Sequence, residues 1–316
     1  MQYLGKEYST INLGDRVKFL IDGKNGELAG KSLYKLYALS KNSVDALTHL
    51  YVYATHPNQF NDPFDCDETL LKFDDINAIK RFWEQLYPNV VKLCKNDIEQ
   101  IKVFTNKAYK TYMYKKMGVL CLTSSWDSLP MWSAYTQHQG FCLEYNVSAF
   151  PFQNQGVFPV NYIAKEDIQP VSVKENGVAV ASLFQTMVKT SDWEYEHEWR
   201  MLIDAPDGFY MKGYGEDHLH VESEDEHDRR FKYTLRSLRS VTFGLKFFEE
   251  ECVVIGSNEY EYYIINPLKN EILDFLSRTK ICTYALDNAG FGTVVQRLLN
   301  ITQLSSNRYR IKMDLS

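Results

Sequence analysis

Four short stretches of the sequence combine residue types that can do chemistry. They are LYKLY (33–37), FNDPFD (60–65), TSSWDSLPMWSAYTQHQGFCLEY (123–145) and WEYEHEWR (193–200). Together they hold a cation, hydroxyls, aromatic rings and carboxylates in a combination that hydrophobic packing alone does not require. Because the stretches lie far apart along the chain, only the fold can bring them into one site.

The last stretch carries two carboxylates, Glu196 and Glu198, which are the candidate catalytic residues. A carboxylate, Glu198 best, can accept a hydrogen bond from a ribose hydroxyl and stabilise the positive charge that develops as a base leaves. In a strand, residues two apart share one face, and Arg200 shares that face too. The alternative is therefore a surface or interfacial ion pair between Glu198 and Arg200.

The earlier stretches supply candidate binding residues. Lys35, or Tyr34 beside it, can hold a phosphate or the edge of a ribose by charge or hydrogen bond. The hydroxyl of Ser124 or Ser125 can support a ribose and hold the glutamate in place.

Aromatic residues and turn residues are further candidates for contact with a ligand. Trp132 and Tyr135 lie three apart, so both can face one side and one of them can stack on a flat ring. Asn61 and Asp62 precede a proline and favour a fixed turn, which forms one wall of the site and touches the ligand. We expect Phe60 and Phe64 to anchor that turn to the core, and Asp65 or Asp67 to bind a neighbouring arginine or to cap the next helix.

A charged run, GEDHLHVESEDEHDRRF (215–231), raises the question of a metal site. His218 and His220 share one face if the run is a strand, and His227 follows among seven acids. A run this charged is more typical of an exposed loop. We therefore assign no metal ligand, and a metal-dependent RNase built on these histidines stays an alternative.

The elements that must position these residues are predicted as an α+β fold with mostly antiparallel sheets. Apolar residues at helical spacing indicate a helical insertion at 74–117, and a charged loop follows at 206–230. We divide the chain into an N-terminal extension (1–30), a core domain (31–290) and a C-terminal extension (291–316). No dinucleotide-binding GxGxxG turn, GKS/T phosphate loop or repeat period is present.

Composition narrows the class of protein further. The chain has 316 residues, of which 45% are hydrophobic, and a net charge of -6, which disfavours a broad surface for duplex nucleic acid. We expect no membrane association and a cytoplasmic protein, because no signal peptide or apolar run of ~18 residues is present. The six dispersed cysteines are expected to be reduced thiols.

The order FNDPFD, MWSAYTQHQGFCLEYN and W-x-YEHEWR resembles the bacterial domain-of-unknown-function family numbered 2971, over about 33–289. Members of that family are often met among phage-defence and abortive-infection genes. The resemblance implies a bacterial, intracellular, defensive or toxic protein and supplies no reaction.

The order of cation, hydroxyls and Glu-x-Glu is also similar to the arginine, serine, glutamate-x-glutamate pattern of mono-ADP-ribosyltransferases, which bind NAD between two small sheets. This chain has Lys35 in place of the arginine, and Thr123-Ser124-Ser125 in place of Ser-Thr-Ser. The similarity implies an NAD-using transferase or glycohydrolase acting on an unknown macromolecular acceptor or on water. A non-catalytic sensor of a phage protein or nucleotide signal is the alternative, favoured by 22 tyrosines.

Overall fold

The computed structural model describes residues 1–12, 17–24, 32–73, 117–151, 156–204, 229–250 and 252–314, with isolated positions between 74 and 116. Apart from those positions and its last residue, the predicted helical insertion lies outside the described residues. So do 206–228 of the predicted charged loop, with all three of its histidines. The division into a core domain and two extensions therefore stays a prediction.

The described residues form five α-helices, a π-helix and several short 3-10 helices. Helices α1 to α5 span Lys41–Thr48, Leu129–Met131, Val173–Asn176, Val178–Met187 and Pro267–Arg278, and the π-helix Trp132–Thr136 continues α2. The 3-10 helices are Pro57–Gln59, Glu68–Leu70, Val147–Ala149, Lys165–Asp167, Ser191–Glu196 and Leu235–Ser237.

The described residues also form twenty strands. Strands β1 to β10 are Gln2–Tyr3, Lys6–Asn12, Val17–Ile21, Ser32–Tyr37, Tyr51–Tyr53, Leu71–Lys72, Met117–Thr123, Phe141–Asn146, Val157–Pro159 and Asn161–Ile163. Strands β11 to β20 are Val171–Ser172, Val188–Thr190, Glu198–Asp204, Arg230–Lys232, Leu238–Phe243, Cys252–Gly256, Glu259–Tyr263, Cys282–Gly290, Thr293–Ser305 and Arg308–Met313.

Eleven of the strands form one large sheet in the order β16-β17-β20-β19-β18-β15-β8-β4-β7-β13-β9. Its neighbours run antiparallel except for β15 and β18. A separate antiparallel sheet joins β1, β2 and β3, while β5–β14, β6–β11 and β10–β12 form pairs. The prediction of an α+β fold with mostly antiparallel sheets is confirmed.

One face of the large sheet is covered by α1 and α5. Helix α5 begins because Asn266 accepts a hydrogen bond from the backbone of Leu268 and Pro267 occupies the first turn. Its apolar residues Ile272, Leu273 and Leu276 recur at helical spacing and are buried against the sheet. This face forms the main hydrophobic core.

The opposite face is apolar at one end and polar at the other, and this change creates the site. Helix α4 packs Phe184 against a second core that includes Val119 of β7 and Leu202 of β13. Because side chains alternate along a strand, the face of β13 that carries Leu202 continues with Arg200 and then Glu198. The charged side chains of Glu198 and Arg200 therefore lie on a buried face of the sheet, at the start of β13.

The segment that carries the predicted aromatic residues has an irregular backbone. After α2 and the π-helix, Gln137 and His138 both adopt the left-handed conformation. Gly140 then passes so close to β4 that a Cβ atom there would lie 2.0 Å from the carbonyl oxygen of Tyr37, so only glycine fits. This close packing places the π-helix against β4, at the polar end of the sheet face. π-Helical turns frequently occur at functional sites.

Candidate functional site

Three of the four predicted stretches meet on adjacent strands. Glu198 of β13 pairs with Thr123 of β7, and Thr123 pairs in turn with Tyr34 of β4. Paired residues on neighbouring strands point to the same face, so the three side chains form one row. The sheet topology thus brings together LYKLY, the end of CLTSS and the start of EWR.

A cleft of about 270 Å³ opens beside this row. Ligand pockets usually span ~300–1,000 Å³, so this cleft takes one end of a nucleotide-sized ligand rather than the whole. Six of the ten predicted site residues line it: Tyr34, Lys35, Asn61, Tyr135, Glu196 and Glu198.

The other four predicted residues do not line the cleft. The hydroxyl of Ser124 donates to the carbonyl of His197 at 3.4 Å, and that of Ser125 donates to Asp127 at 2.8 Å. Asp62 accepts a hydrogen bond from the backbone N–H of Phe64, which makes it a turn residue.

Trp132 is the fourth of these residues. It is fully buried, and its indole N–H donates to the carbonyl of Trp126 at 2.7 Å. Its ring packs against Cys142 and Leu286 on the large sheet. The prediction that Trp132 can stack on a ligand is wrong, because the π-helix directs its ring into the core.

The hydroxyl that belongs to the row is that of Thr123. It donates to the carbonyl of Glu196 at 2.6 Å and accepts from the backbone N–H of Ser125 at 2.9 Å. These bonds tie the end of β7 to the turn before β13. The motif TSS reaches the cleft through its first residue, Thr123, whereas the predicted Ser124 and Ser125 do not line it.

The two glutamates differ from the predicted arrangement. Glu196 ends the 3-10 helix, His197 adopts the left-handed conformation, and the strand begins only at Glu198. Both carboxylates are buried, with 3% of Glu196 and 6% of Glu198 exposed. The ion pair between Glu198 and Arg200 forms as the spacing suggested, but it is buried inside the protein rather than at a surface or an interface.

Arg200 is fully buried and uses its whole guanidinium group. Its Nε and Nη2 each donate to Glu198 at 2.9 Å, and its Nη1 and Nη2 donate to Asp65 at 2.8 and 2.5 Å. The remaining N–H donates to the carbonyl of Thr186 at 2.7 Å. Because a guanidinium has five N–H groups, Arg200 has none left for a ligand. It joins the FNDPFD turn to β13, and the prediction that Asp65 binds an arginine is confirmed.

Lys189 is the cation that sequence reasoning missed. Its ammonium group lies 2.5 Å from an oxygen of Glu196, 3.3 Å from Glu198 and 3.8 Å from Asp65. It also stands 4.6 Å from the ring centre of Trp193. Nothing in VKT, the sequence of β12, marks this lysine as part of the site.

The buried charges set the ionisation of the site. Burial alone raises the pKa of Glu198, but Arg200 and Lys189 lower it to about 2. Burial alone lowers the pKa of Lys189, but Glu198 and Glu196 hold it above its ordinary value. Counted by formal charge, the cluster holds three carboxylates, Asp65, Glu196 and Glu198, against two cations, Lys189 and Arg200. The floor of the cleft therefore favours a cationic group or a developing positive charge.

Tyr135 and Asn61 form a chain that ends at Glu196. The amide of Asn61 donates to the hydroxyl of Tyr135 at 3.3 Å, and that hydroxyl donates to Glu196 in a short hydrogen bond. Burial, and then the carboxylate, raise the pKa of Tyr135, so it keeps its proton. The tyrosine is thus a donor to Glu196 rather than a base.

Lys35 also lines the cleft, where β4 and β7 part. The two strands pair at one register position, and Lys35 donates from its ammonium group to the carbonyl of Cys121 at 3.1 Å. Among the described residues, no carboxylate lies within ion-pairing distance of it. An ammonium group has three N–H donors, so Lys35 keeps donors for a ligand.

Two other chemistries, a reactive cysteine and a bound metal ion, are less well supported by the site. The thiol of Cys121 lines the cleft, but burial raises its pKa well above the ordinary value, so it is protonated. The described cysteines are free thiols: Cys66, Cys121, Cys142, Cys252 and Cys282. No group of three His, Cys, Asp or Glu side chains in the described part of the chain is placed to hold a metal ion.

Comparison with known proteins supports one resemblance. A family model described as "Protein of unknown function (DUF2971)" matches residues 131–201, a segment that contains Tyr135, Lys189, Glu196 and Glu198. Comparisons with curated proteins and with solved structures gave no match. No helix among the described residues is long and apolar enough to cross a membrane.

Proposed function

We propose that this chain is a bacterial defence or toxin-type effector that binds NAD in the cleft and breaks its nicotinamide–ribose bond. The electron pair of that C–N bond leaves with the nicotinamide ring. The ribose carbon then bonds to an oxygen of a macromolecular acceptor or of water, which loses its proton. The defensive context comes from the resemblance to the DUF2971 family, and the cytoplasmic location is the expectation from the sequence. The reaction comes from the similarity to the mono-ADP-ribosyltransferase pattern, and the charges of the site support it.

The observation that carries the proposal is the pair of buried carboxylates, Glu196 and Glu198, that line the cleft. As nicotinamide leaves, the ribose gains positive charge, and a fixed anion stabilises that charge most where water is excluded. The pKa of about 2 keeps Glu198 ionised at neutral pH without any ligand. Arg200 fixes its position, so no reorganisation is needed during the reaction.

Lys35 suits the opposite end of the same ligand. Its ammonium group belongs to a residue that lines the same cleft as the carboxylates, and it is available to bind a phosphate oxygen. A ligand with a cationic ring at one end and a pyrophosphate beyond its ribose matches this pair of opposite charges. Oxidised NAD has that arrangement.

Incubation of the protein with NAD, followed by chromatography of released nicotinamide, tests the proposal. We expect release by the wild type and a loss of about 100-fold or more in Glu198→Gln, the scale on which electrostatic stabilisation acts. Glu194→Gln is the matched control, because Glu194 is exposed in the same segment. Equal rates in the wild type and Glu198→Gln would refute the proposed role of Glu198.

A second candidate, a non-catalytic sensor of a nucleotide signal, is favoured by a different observation. Both oxygens of Glu198 already accept hydrogen bonds, from Arg200 and Lys189, and little of the residue is exposed. A carboxylate held in this way can shape a binding cleft without touching a reacting atom. Binding of NAD at micromolar concentration with no nicotinamide release would favour the sensor. The metal-dependent RNase stays a prediction, because its histidines lie outside the described residues.

A further inference from the structure

The cleft extends into a gap between two strands of the large sheet. Strands β4 and β7 pair at one register position, Tyr34 with Thr123, and part beyond it. Three consecutive residues of each strand line the cleft, namely Tyr34, Lys35, Leu36, Cys121, Leu122 and Thr123. Side chains alternate between the two faces of a paired sheet, so three consecutive residues share one cavity where the neighbouring strand is missing. The cavity therefore reaches into the space between β4 and β7.

A backbone contact closes the other end of this gap. Thr55 and Val119 exchange two backbone hydrogen bonds, each of 2.9 Å, and Thr55 lines the cleft. Thr123 and Val119 are four residues apart on β7, which makes the gap about 13 Å long at ~3.3 Å per residue. A ring, its ribose and a 5'-phosphate fit within that length, whereas two nucleotides joined by an extended pyrophosphate do not. Together with the cleft volume of about 270 Å³, the gap limits what the cleft encloses to one nucleotide at most.

An anion and a cation lie at different positions along this gap. Glu198 pairs with Thr123 at one end of it. The ammonium group of Lys35 donates to the carbonyl of Cys121, which lies two residues, roughly 7 Å, further along β7. Burial raises the pKa of the Cys121 thiol, Glu198 raises it further, and Lys35 acts in the opposite direction, so both charges lie near this one thiol. The spacing of the two groups along β7 matches the distance from the reacting carbon to the 5'-phosphate of one nucleotide.

Lys35 suits a phosphate better than the other lysine of the cleft does. Lys189 is buried, and its ammonium group is already paired with the carboxylates of Glu196 and Glu198. A phosphate beside Lys189 would also meet the negative charge of those carboxylates. Lys35 is half-buried and donates one hydrogen bond, to a backbone carbonyl, so two of its three N–H groups remain for a phosphate. The phosphate of a bound nucleotide therefore lies at Lys35.

We propose that the cleft is a complete site for a single nucleotide with a cationic base, in which Lys35 binds the 5'-phosphate and Glu198 faces the ribose. The reaction of such a nucleotide rests on the proposed function, whereas its binding does not. If that function holds, nicotinamide mononucleotide is a substrate as well as NAD. Its C–N bond breaks, the electron pair leaves with nicotinamide, and the ribose carbon bonds to an oxygen of water, which loses a proton. The second product is ribose 5-phosphate.

Titration calorimetry tests the binding without any reaction. The probe is carbocyclic nicotinamide mononucleotide, in which a cyclopentane ring replaces the ribose, so the C–N bond is not cleaved. The control ligand is the same compound without its phosphate. We expect the wild type to bind the nucleotide about tenfold or more tightly than the control ligand, because charge-assisted hydrogen bonds to the phosphate are added.

Two lysine variants show which residue binds the phosphate. Lys35→Gln should weaken the nucleotide about tenfold or more and bind the control ligand as the wild type does, which also shows that the variant is folded. Lys232→Gln removes an exposed lysine outside the cleft and should bind both ligands as the wild type does. Carbocyclic NAD should bind the wild type within about tenfold of the mononucleotide, because its adenosine half lies outside the cleft. In the release assay, kcat/KM for nicotinamide mononucleotide should lie within about tenfold of that for NAD.

The outcomes separate this inference from the proposed function. The single-nucleotide site is wrong if the nucleotide binds no more tightly than the control ligand, if Lys35→Gln and Lys232→Gln bind it equally, or if the dinucleotide binds more than about tenfold more tightly than the mononucleotide. A wild type that cleaves NAD but not nicotinamide mononucleotide also contradicts it, and leaves the proposed function in place. Nucleotide binding that depends on Lys35, with no nicotinamide released from either compound, supports the site and contradicts the proposed function.

Discussion

Arg200 holds Glu198 through two hydrogen bonds of 2.9 Å, although the arginine itself is fully buried. A second pair of bonds joins the same guanidinium to Asp65. One side chain therefore fixes both the carboxylate on the floor of the cleft and the turn that forms its wall. The arrangement of the site depends on a cation that makes no contact with a ligand.

Removal of Arg200 should be costly for stability. Arg200→Met leaves Asp65 and Glu198 buried without their main partner, which costs about 3–5 kcal/mol of unfolding free energy. Arg308→Met removes an exposed arginine that pairs with Glu261, and should cost less than ~1 kcal/mol. Urea denaturation of both variants checks the difference. Similar small losses would contradict a structural role for Arg200.

The ionisation of Glu198 predicts a specific dependence of stability on pH. Arg200 and Lys189 overcome the effect of burial and lower its pKa from 4.5 to about 2 in the folded state. The folded state then binds fewer protons than the unfolded state, so Glu198 stabilises the fold above pH 4.5, and this contribution disappears as the pH falls to about 2. The stability difference between the wild type and Glu198→Gln should shrink over that range. A constant difference would contradict the lowered pKa.

The hydroxyl of Tyr135 is expected to matter for both stability and turnover. Tyr135→Phe keeps the ring but removes the donor to Glu196 and the acceptor for Asn61. We expect a loss of about 1–3 kcal/mol of unfolding free energy and slower nicotinamide release. Tyr195→Phe, at an exposed tyrosine of the same region, should change stability by less than ~0.5 kcal/mol. Denaturation and the release assay on both variants give the comparison.

The assignment of the cleft hydroxyl to Thr123, rather than to Ser124 or Ser125, can be tested by mutation. Thr123→Val preserves the shape of the side chain but breaks its bond to the carbonyl of Glu196, so we expect a loss of about 1–3 kcal/mol and slower nicotinamide release. Ser124→Ala removes an exposed hydroxyl with one 3.4 Å bond, and should be nearly neutral. If Ser124→Ala proved the more damaging change, the original assignment to the serines would be the better one.

Local patterns in the sequence predicted much of the fold. Ser40 caps α1, because its hydroxyl accepts a hydrogen bond from the backbone of Ser43, and serine is a residue type that favours this position. The FNDPFD turn also forms as expected, with Asp62 bonded to the backbone two residues on. The prediction that Phe60 and Phe64 both anchor this turn to the core is only half confirmed. Phe60 packs against the second core, but Phe64 is 75% exposed. A turn residue is predictable from local chemistry, whereas the direction of a ring depends on what packs above it.

The parts of the site that could not be predicted depend on contacts between distant residues. Lys189 and Glu196 are only seven residues apart in the sequence. Their contact nevertheless depends on the parallel pairing of β12 with β10 and on the 3-10 helix that follows β12. Asp65 and Arg200 are 135 residues apart. The left-handed conformation of His197 separates Glu196 from the strand that spacing alone assigns to it. Sequence spacing gives the types of groups in such a site, and tertiary packing decides which of them reach the cleft.

The most direct test of the central claim separates binding from reaction at Glu198. Wild type and Glu198→Gln are compared for NAD affinity by calorimetry and for nicotinamide release under saturating NAD. The site predicts an affinity that changes by less than about tenfold, because Lys35 still binds the ligand, and a release rate that falls about 100-fold or more. A thermal melt of the variant confirms that it is folded under the assay conditions. A folded variant that releases nicotinamide at the wild-type rate, or a wild type that binds NAD and releases none, would contradict the claim.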